Sequence, residues 1–459
     1  MNKHYLDLYL VTFNCARTRV PVDLFARHLF HSLPSPSSGG AEDNNETYTT
    51  PELIVFNLQE IAPVTDSFLG GSFLGPYFDA FSQAVDRAVL KKDWDSHYVN
   101  LVRVNSGMTA LMVFVRSDIA DRISWVDTAQ VGVGVQQMGN KGAAGARLGY
   151  LPVDTSQRTL DLTFVAAHLA PMEYNVELRN KDYREIAERL VFTRKVAIHR
   201  TRMENVEDSD EPEEEAQGSE SEDHPQGIFT PTSYLFIGGD LNYRTSDILP
   251  QGDDHTRYPI LDAEETSPSH YSQLLKKDQL LRERRQGKSF HGLNEAPIRF
   301  GPTYKYSAAA RRAAAATVVD GTWKEEWKFA NYRWPSWTDR ILYLDTPPWM
   351  PELGHVKPHV YNALPLIPTS DHRPVALSVS IPKNIIRKPQ GTENEDDVRL
   401  RPPVEIDPAW YEKRSSARSK EIIVGYLGYL SLTWQGGGMV LATIVGAVGI
   451  WIVLRTLLG

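Results

Sequence analysis

The chain has a single cysteine, and this scarcity excludes several classes of protein. Cys15 is the only cysteine among 459 residues, so no disulfide bond can form within the chain and no cluster of thiolates can hold a metal. A composition without disulfides is typical of proteins that work in a reducing compartment. The body of the protein is therefore predicted to face the cytosol.

A charged surface of one sign is also missing from most of the chain. The formal net charge is -9, but eleven acidic residues and no lysine or arginine lie between Glu204 and Asp223, and the remainder carries +2. A near-neutral body does not repel anionic substrates or an anionic membrane. A charge of +2 gives no reason to expect nucleic acid, so no nucleic-acid partner is predicted.

Charged residues are absent between Glu421 and Arg455, and this gap contains a long hydrophobic run. Residues 436–454 are uncharged and mostly apolar, and nineteen helical residues span roughly 28 Å, close to the thickness of a bilayer core. We predict a C-terminal transmembrane tail anchor over 436–458 and, from the start of the chain, no signal peptide. The alternative is a buried core helix, which rarely runs this long without a polar face.

Residues around this segment predict its orientation and surroundings. A cluster of basic residues just before it favours a cytosolic body by the positive-inside rule: Lys413, Arg414, Arg418 and Lys420. Its modest length favours the endoplasmic reticulum over the thicker plasma membrane. Gly438, Ala442 and Gly446 are spaced four apart and predict a weak pairing surface for a second copy of the helix.

Short apolar runs separated by polar loops dominate the rest of the chain. Residues 6–10 alternate apolar and polar side chains, which predicts a half-buried strand. The runs at 53–58, 111–115 and 160–165 are almost wholly apolar and predict strands covered on both faces. With helical spacing at 173–200, the pattern predicts an α/β fold of two packed β-sheets with helices outside.

Polar side chains stand where several of these strands end. Asn14, Glu60, His168, Asp240 and Asn242 each follow or close an apolar run. Strand ends hold side chains in fixed positions, as a site on one rim of a sheet requires. Oxygen donors dominate the set, so a metal bound there should be hard, and Mg²⁺ is the natural candidate.

A second pattern combines an imidazole with carboxylates. His372 follows Asp371 in TSDHRP, and Asp339 lies upstream in PSWTDRIL. A carboxylate that accepts one ring N–H of a histidine fixes its tautomer and raises its basicity. The pair predicts a catalytic dyad, and a purely structural pairing is the alternative that the sequence leaves open.

Groups suited to anions accompany these acids. Asn140 and Lys141 lie in the glycine-flanked segment MGNKG, where backbone N–H groups and an ammonium can face a phosphate. It is not a Walker sequence, so binding of a nucleoside triphosphate is not predicted. Further basic or polar residues lie near the candidate catalytic acids or on the helix after His168, with surface solvation as the alternative for each: Arg179, Tyr183, Arg244, Lys305 and Arg340.

The order of these motifs resembles the inositol polyphosphate 5-phosphatases, members of the endonuclease/exonuclease/phosphatase superfamily. The resemblance covers nearly all of residues 5–382. It is carried by TFN (12–14), NLQE (57–60), MGNKG (138–142), HLAP (168–171), GGDLNYR (238–244), DQL (278–280), PTYKY (302–306), PSWTDRIL (335–342) and SDHRPV (370–375). It implies a four-layered α/β sandwich and a phosphoric monoester hydrolase.

The resemblance also implies a role for each matching residue. The residues implied to bind the metal are Asn14, Glu60 and Asp371. The residues implied to be catalytic are His168, Asp240, Asn242, Asp339 and His372, with Asp240 or His372 as the proton acceptor. Substrate binding falls to Asn140, Lys141, Arg179, Tyr183, Arg244, Lys305 and Arg340, with Arg179 and Tyr183 expected at the 4-phosphate.

Domain boundaries follow from the extent of the same resemblance. Residues 1–385 are assigned to one catalytic domain with loop insertions at about 32–50, 204–227 and 308–325, and 386–421 is expected to be a linker before the membrane. The predicted reaction is Mg²⁺-dependent removal of the 5-phosphate by in-line attack of water. A cysteine-nucleophile phosphatase is excluded because no C-x5-R loop follows Cys15.

The membrane segment favours a lipid over a soluble substrate, because an anchored enzyme meets headgroups at high effective concentration. Phosphatidylinositol 4,5-bisphosphate is the first choice, followed by the 3,4,5-trisphosphate and the 3,5-bisphosphate. Two alternatives remain: a related nuclease or sphingomyelin-type phosphodiesterase, and an inactive phosphoinositide-binding tether. The segment AAHLAPM departs from the family's usual NSHLAAH, because Ala166, Ala167 and Met172 replace its polar residues.

Overall fold

The computed structural model describes residues 4–34, 50–92, 94–152, 158–197, 225–320, 326–389, 396–432 and 434–458. The strands are β1 (Tyr5–Asn14), β2 (Leu53–Gln59), β3 (Tyr98–Ser106), β4 (Thr109–Arg116), β5 (Ile123–Gly132), β6 (Gly142–Tyr150), β7 (Leu160–His168), β8 (Thr193–Ala197), β9 (Ser233–Asp240), β10 (Asp339–Tyr343), β11 (Lys357–Ala363) and β12 (Val375–Pro382). The helices are α1 (Val22–His28), α2 (Val64–Leu69), α3 (Gly75–Lys91), α4 (Val176–Arg189), α5 (Tyr271–Leu275), α6 (Gln279–Arg285), α7 (Ala308–Asp320), α8 (Trp410–Leu432) and α9 (Trp434–Leu458).

The strands form two six-stranded sheets. The first has the order β11-β12-β1-β2-β4-β3 and the second the order β10-β9-β7-β6-β5-β8. Each sheet is mixed, because β1 runs parallel to β2 but antiparallel to β12, and β7 runs parallel to β9 but antiparallel to β6. The parallel pairs bring the carboxyl ends of β1, β2, β7 and β9 to the rims where the polar residues were predicted.

The apolar residues arrange the chain in four layers. Between the sheets lies the largest hydrophobic cluster, in which Leu8, Val55 and Phe164 are completely buried. A second cluster joins the outer face of the first sheet to α1 and α3, and a third joins the outer face of the second sheet to α4 and α6. The prediction of two packed sheets flanked by helices is confirmed.

The prediction that β1 is only half-buried is wrong. β1 lies between β2 and β12 and is covered on both faces, so Asp7 is 1% exposed. Its carboxylate accepts a hydrogen bond from the Ser380 hydroxyl, and the Tyr9 hydroxyl donates to the Leu29 carbonyl. Polar side chains with such partners are compatible with burial. Their alternation with leucines resembles the pattern of a half-buried strand, which explains the wrong prediction.

The three predicted insertions differ in how far they are described. Most of 32–50 and most of 204–227 lie outside the described residues. The third begins with α7, so the predicted helical insertion is present over Ala308–Asp320.

The range 386–421, expected to be a linker, is packed structure in its described part. Arg399 is 4% exposed and pairs with Asp397, and residues 410–421 form the first half of α8. α9 contains an exposed apolar segment, Gly437–Thr456, that is long enough to cross a bilayer.

Candidate functional site

Strand register brings three predicted catalytic residues side by side. His168, the last residue of β7, is paired with Asp240 at the end of β9, and Asp240 is paired with Asp339 at the start of β10. Asn14 ends β1 opposite Gln59, the residue before Glu60. The site therefore lies at the rim where the ends of both sheets meet.

Asp240 is at the centre of this site. It is 2% exposed, and its Oδ2 atom lies 2.9 Å from Asn14 Nδ2, 3.4 Å from His168 Nε2 and 3.9 Å from His372 Nε2. Its Oδ1 atom accepts the N–H of Asn242 at 3.1 Å. Burial acts to raise the pKa of Asp240, but the charge of His372 and the hydrogen bond from His168 outweigh it and hold the pKa below its usual range.

The predicted dyad is formed in the structure. His372 Nδ1 lies 3.0 Å from Asp339 Oδ2, and the hydroxyls of Thr303 and Thr338 donate to the same oxygen at 2.7 Å and 2.9 Å. The ring of Tyr304 lies 4.5 Å from the imidazole.

The dyad is held inside the protein, where Asp339 is 0% and His372 is 4% exposed. Burial lowers the pKa of His372, but the carboxylates of Asp339 and Asp240 raise it to about 10. Burial is the main reason that the pKa of Asp339 is above its usual value. Nδ1 is therefore fixed by Asp339, and Nε2 is left to face Asp240 and whatever binds between them.

His168 connects this pair to Lys141 and Glu60. Lys141 Nζ lies 2.6 Å from His168 Nε2 and 3.9 Å from Glu60 Oε1, and Arg17 Nε donates to Glu60 Oε2 at 2.9 Å. Burial and the neighbouring Lys141 charge lower the pKa of His168, and burial is also the main cause of the lowered pKa of Lys141. Burial acts to raise the pKa of Glu60, but His168, Lys141 and Arg17 together lower it.

Asn242 and Arg244 form the next part of the rim. Asn242 has a left-handed backbone with φ of 58°, a conformation that asparagine tolerates better than most residues, and its Nδ2 donates to the Leu169 carbonyl at 3.0 Å. The Arg244 guanidinium donates to Asn242 and lies 4.4 Å from the centre of the Tyr304 ring. Its Nη1 atom has no hydrogen-bond partner among the described residues, so the two N–H groups of that atom remain for an anion.

Lys305 and Asp371 form an ion pair at the open side of the site. Lys305 Nζ donates to Asp371 Oδ2, and the two side chains are 22% and 20% exposed. Burial acts to raise the pKa of Asp371, but the charges of His372 and Lys305 lower it. The pair is accessible enough for an anionic ligand to compete with Asp371 for Lys305.

Arg340 does not contribute to this site, contrary to the prediction. Its side chain is 0% exposed, and it is held by Glu295 through two hydrogen bonds of 2.6 Å and by Asp278 at 3.0 Å. Alternation along β10 explains the error, because successive side chains of a strand point to opposite faces. Asp339 faces the site, so its neighbour Arg340 faces away from it.

Arg340 is therefore predicted to be a stabilising residue. Arg340→Met should lower the free energy of unfolding by about 3–5 kcal/mol, because Glu295 and Asp278 would be left buried without their partner. Urea unfolding followed by circular dichroism measures this. The control is Arg103→Met, which removes an exposed pair with Asp79 and should cost less than about 1 kcal/mol. An Arg340→Met protein as stable as the wild type would contradict the assignment.

Three other predicted binding residues are also structural. The Arg179 guanidinium is buried and donates to the carbonyls of Ala170 and Met172 and to Gln279. Tyr183 is 2% exposed and packs in the core, with its ring 4.4 Å from that of Phe290. The remaining residue, Asn140, accepts the N–H of Val135 and so shapes the turn that carries Lys141.

The residues at the rim fit a divalent cation. Asp240 and Asp339 present carboxylate oxygens within 4.8 Å of each other, and Asp339 Oδ1 is buried without a hydrogen-bond partner among the described residues. Glu60 adds a carboxylate beside Lys141. Of the other predicted ligands, Asn14 turns its amide nitrogen towards Asp240, and Asp371 pairs with Lys305. Carboxylate oxygens suit Mg²⁺ or Mn²⁺.

Several residues of the site were not assigned by sequence reasoning. Thr303, Thr338 and Tyr304 support the dyad, and the Ser370 hydroxyl links the backbone N–H of His372 to the Asn14 carbonyl. Each lies inside a motif that carries the family resemblance, close to a residue with a predicted role. Their position in those motifs was the available signal, but hydroxyl and aromatic residues have too many uses for the sequence to specify one.

Cys15 is not a nucleophile. It is buried, its Sγ atom lies 3.7 Å from the Phe13 carbonyl, and burial raises the pKa of its thiol. A neutral buried thiol is unreactive, so the chemistry of the site depends on its carboxylates, imidazoles and basic groups.

Comparison with known proteins gives the site a context. The polyphosphatidylinositol phosphatase INP53 of Saccharomyces cerevisiae is 31% identical over 330 residues, which cover 71% of this chain and 23% of that protein. The human phosphatidylinositol 3,4,5-trisphosphate 5-phosphatase 1 is 30% identical over 266 residues, which cover 58% of this chain and 18% of that protein. The chain thus spans less than a quarter of the length of these two relatives.

Solved structures support the fold. The inositol polyphosphate 5-phosphatase domain of SPsynaptojanin, crystallised with inositol (1,4)-bisphosphate and a calcium ion, matches with a TM-score of 0.54 and 22% sequence identity. The match covers 92% of this chain and 90% of that chain. The family model described as Endonuclease/Exonuclease/phosphatase family 2 matches residues 11–378. The chain therefore belongs to the endonuclease/exonuclease/phosphatase family.

Proposed function

We propose that this protein is a Mg²⁺-dependent phosphoinositide 5-phosphatase. The observation that carries the proposal is the arrangement around Asp240, in which a buried carboxylate faces the His372–Asp339 pair across 3.9 Å. Cationic or polar donors surround this gap. The names of the relatives, which are phosphatases of phosphorylated inositol lipids, support a phosphate monoester as the group that fills it.

Each residue has a role in this proposal that follows from its position. Glu60 holds the metal together with the oxygens of Asp240 and Asn14. The ion, when bound, withdraws negative charge from the phosphate and from the leaving oxygen. Lys141 neutralises charge on the scissile phosphate and His168 donates a hydrogen bond to it, because both lie beside Asp240. Fixed donors aimed at developing charge stabilise a transition state without reorganisation.

The hydrogen bonds support one assignment of the proton transfers. Asp240, held by Asn14 and His168, accepts the proton of the attacking water, whose oxygen forms a bond to phosphorus in line with the breaking bond to the inositol oxygen. His372 Nδ1 is occupied by Asp339, so Nε2 donates to a phosphate oxygen. No covalent phosphoenzyme forms in this scheme, and the leaving oxygen takes up a proton from solvent water and departs as the inositol hydroxyl.

The uncleaved phosphates have a second set of donors. Lys305 reaches them by leaving Asp371, and Arg244 offers the Nη1 donors that have no partner among the described residues. Arg179, Tyr183 and Arg340 are not included, because their side chains are buried and engaged elsewhere in the fold.

The apolar segment of α9 supports a lipid substrate. This segment, Gly437–Thr456, is exposed along its whole length, which is unfavourable in water and favourable in a bilayer. As a membrane helix it would keep the site close to phosphoinositide headgroups. Phosphatidylinositol 4,5-bisphosphate is the proposed substrate, with the 3,4,5-trisphosphate and the 3,5-bisphosphate as further candidates.

Product analysis tests the proposal. The full chain, reconstituted in phosphatidylcholine vesicles with 5-phosphorylated inositol lipids, should release inorganic phosphate and leave phosphatidylinositol 4-phosphate from the 4,5-bisphosphate. Soluble inositol phosphates, single-stranded nucleic acid and sphingomyelin serve as competing substrates in parallel assays. Cleavage of nucleic acid or sphingomyelin with no phosphate release from inositides would contradict the proposal. Binding of inositides without any hydrolysis would replace it by the tether alternative.

A further inference from the structure

The α8 helix is packed tightly against the catalytic body from Arg418 to Gly428. Gly425 is buried, and a Cβ atom there would lie 3.0 Å from Leu69 Cγ. A Cβ at Gly428 would lie 2.8 Å from Thr65 Oγ1. Glycines at these two positions allow α8 to approach α2 closely. The Arg418 guanidinium adds hydrogen bonds of 2.6 Å and 2.9 Å to the carbonyls of Phe68 and Leu69, which end α2.

A buried carboxylate extends this contact to a second segment. Glu421, on α8, is 6% exposed. Its Oε1 atom accepts the backbone N–H of Gly139 at 2.7 Å, and its Oε2 atom accepts from Arg418 at 3.1 Å. The α8 helix therefore binds the turn 138–142 through a hydrogen bond to a charged acceptor, the stronger class of protein hydrogen bond.

That turn is confined on its other side by the β3–β4 hairpin. Met108 donates its N–H to the Gly139 carbonyl at 2.8 Å, and a Cβ atom at Gly139 would lie 2.6 Å from the nitrogen of Gly107. Gly139 thus lies between the hairpin and Glu421 with no spare space. Two residues later the same turn carries Lys141, which contacts His168 and Glu60.

Both segments that α8 contacts lead directly into the site. The turn 138–142 carries Lys141, and α2 begins four residues after Glu60. Glu60 follows β2 of the first sheet and Lys141 precedes β6 of the second, and these two strands are not paired within the described part of the chain. A helix that contacts both segments can fix the distance between these two side chains.

We propose that α8 is a positioning element of the site and that Glu421 is its positioning residue, fixing Lys141 through Gly139. The proposal rests on the proposed function for its effect on catalysis, but its structural part does not. α9 begins two residues after α8 ends, so the helix that sets the Lys141 turn is also the one that connects the body to the apolar segment.

Two substitutions at Glu421 separate the effect of its hydrogen bond to Gly139 from the effect of its packing. Glu421→Met keeps the volume of the side chain but removes the acceptor, whereas Glu421→Gln keeps an acceptor oxygen for Gly139. The control is Ser419→Ala, at an exposed position of the same helix. All three variants are made in the full chain, and each protein is reconstituted in phosphatidylcholine vesicles. Steady-state phosphate release from phosphatidylinositol 4,5-bisphosphate and amide hydrogen exchange of residues 136–142 are then measured.

Glu421→Met should lower kcat about 10- to 100-fold, because small displacements of positioning groups cost this much. Its KM should change much less than its kcat. Exchange of the 136–142 segment should be about 10-fold faster, since Gly139 loses its partner. Glu421→Gln should stay within about threefold of the wild type in both measurements, as rescue by an acceptor requires.

Two outcomes would overturn the proposal. One is Glu421→Met behaving like Ser419→Ala in both measurements, and the other is Glu421→Gln being as impaired as Glu421→Met.

If the wild type releases no phosphate, the proposed function fails while hydrogen exchange still decides whether α8 fixes the turn. If Glu421→Met does not fold, Gly428→Ala, which pushes α8 away from Thr65, must accelerate exchange of the same segment for the proposal to stand.

Discussion

Replacement of Asp240 by asparagine is expected to reduce phosphate release by about 10³-fold or more, the range typical of a lost catalytic base. Asparagine has nearly the same shape, so the hydrogen bonds to Asn14 and Asn242 can largely persist. It carries no negative charge, however, and it is too weakly basic to take a proton from water. The turnover number measured under saturating lipid in vesicles would show the loss, while KM should change little.

A matched control separates this loss from a loss of folding. Asp278 is an equally buried aspartate that caps α6 and pairs with Arg340 away from the site. Asp278→Asn should lower the free energy of unfolding yet leave the turnover number of the folded protein within about threefold of the wild type. An Asp240→Asn enzyme that keeps more than a tenth of its turnover number would remove Asp240 from the mechanism and make His372 the proton acceptor.

Removal of divalent metal is expected to have an effect of similar size. Treatment with EDTA should lower phosphate release about 10³-fold or more, because a metal that neutralises charge on phosphate contributes several kcal/mol to the transition state. Addition of Mg²⁺ in excess should restore it. Glu60→Gln should raise the Mg²⁺ concentration needed for half-maximal activity by about 10- to 100-fold, a typical cost of disturbing a metal site.

Binding of Mg²⁺ can also be measured without catalysis, by thermal unfolding. Mg²⁺ should raise the melting temperature of the wild type, since a ligand that binds only the folded state stabilises it, and the shift should be smaller for Glu60→Gln. Glu295→Gln is the control, because Glu295 is a buried carboxylate bound to Arg340 outside the site. Phosphate release that is unaffected by EDTA would contradict a metal-dependent mechanism.

The sequence predicted the parts of the site that lie at strand ends. Asn14, Glu60, His168 and Asp240 each close or follow an apolar run, and parallel pairing of those runs brings their ends together. Because this depends on local pattern and on the rules of strand connection, the chain itself carries the information. The pairing of Asp339 with His372, predicted from the residues and implied again by the resemblance in motif order, is formed in the structure at 3.0 Å.

Other predicted binding residues proved structural, because their roles depend on which way a side chain points in the finished fold. Arg340 adjoins a catalytic acid in sequence but lies on the opposite face of β10, where Glu295 binds it. The Arg179 guanidinium donates hydrogen bonds to backbone carbonyls, and Tyr183 packs in the core. The types and spacing of these residues did not distinguish a donor that meets a ligand from one that holds the protein together.

The amino-acid sequence by itself determined the sheets, the polar strand ends and the apolar C-terminal segment, because each follows from side-chain pattern over a few consecutive residues. Only the tertiary structure decided which charges face the site and that residues 410–421 pack against the body. Contacts such as Glu421 with Gly139 join positions 282 residues apart. Their formation depends on the packing of α2, the β3–β4 hairpin and α8 together, which no local pattern encodes.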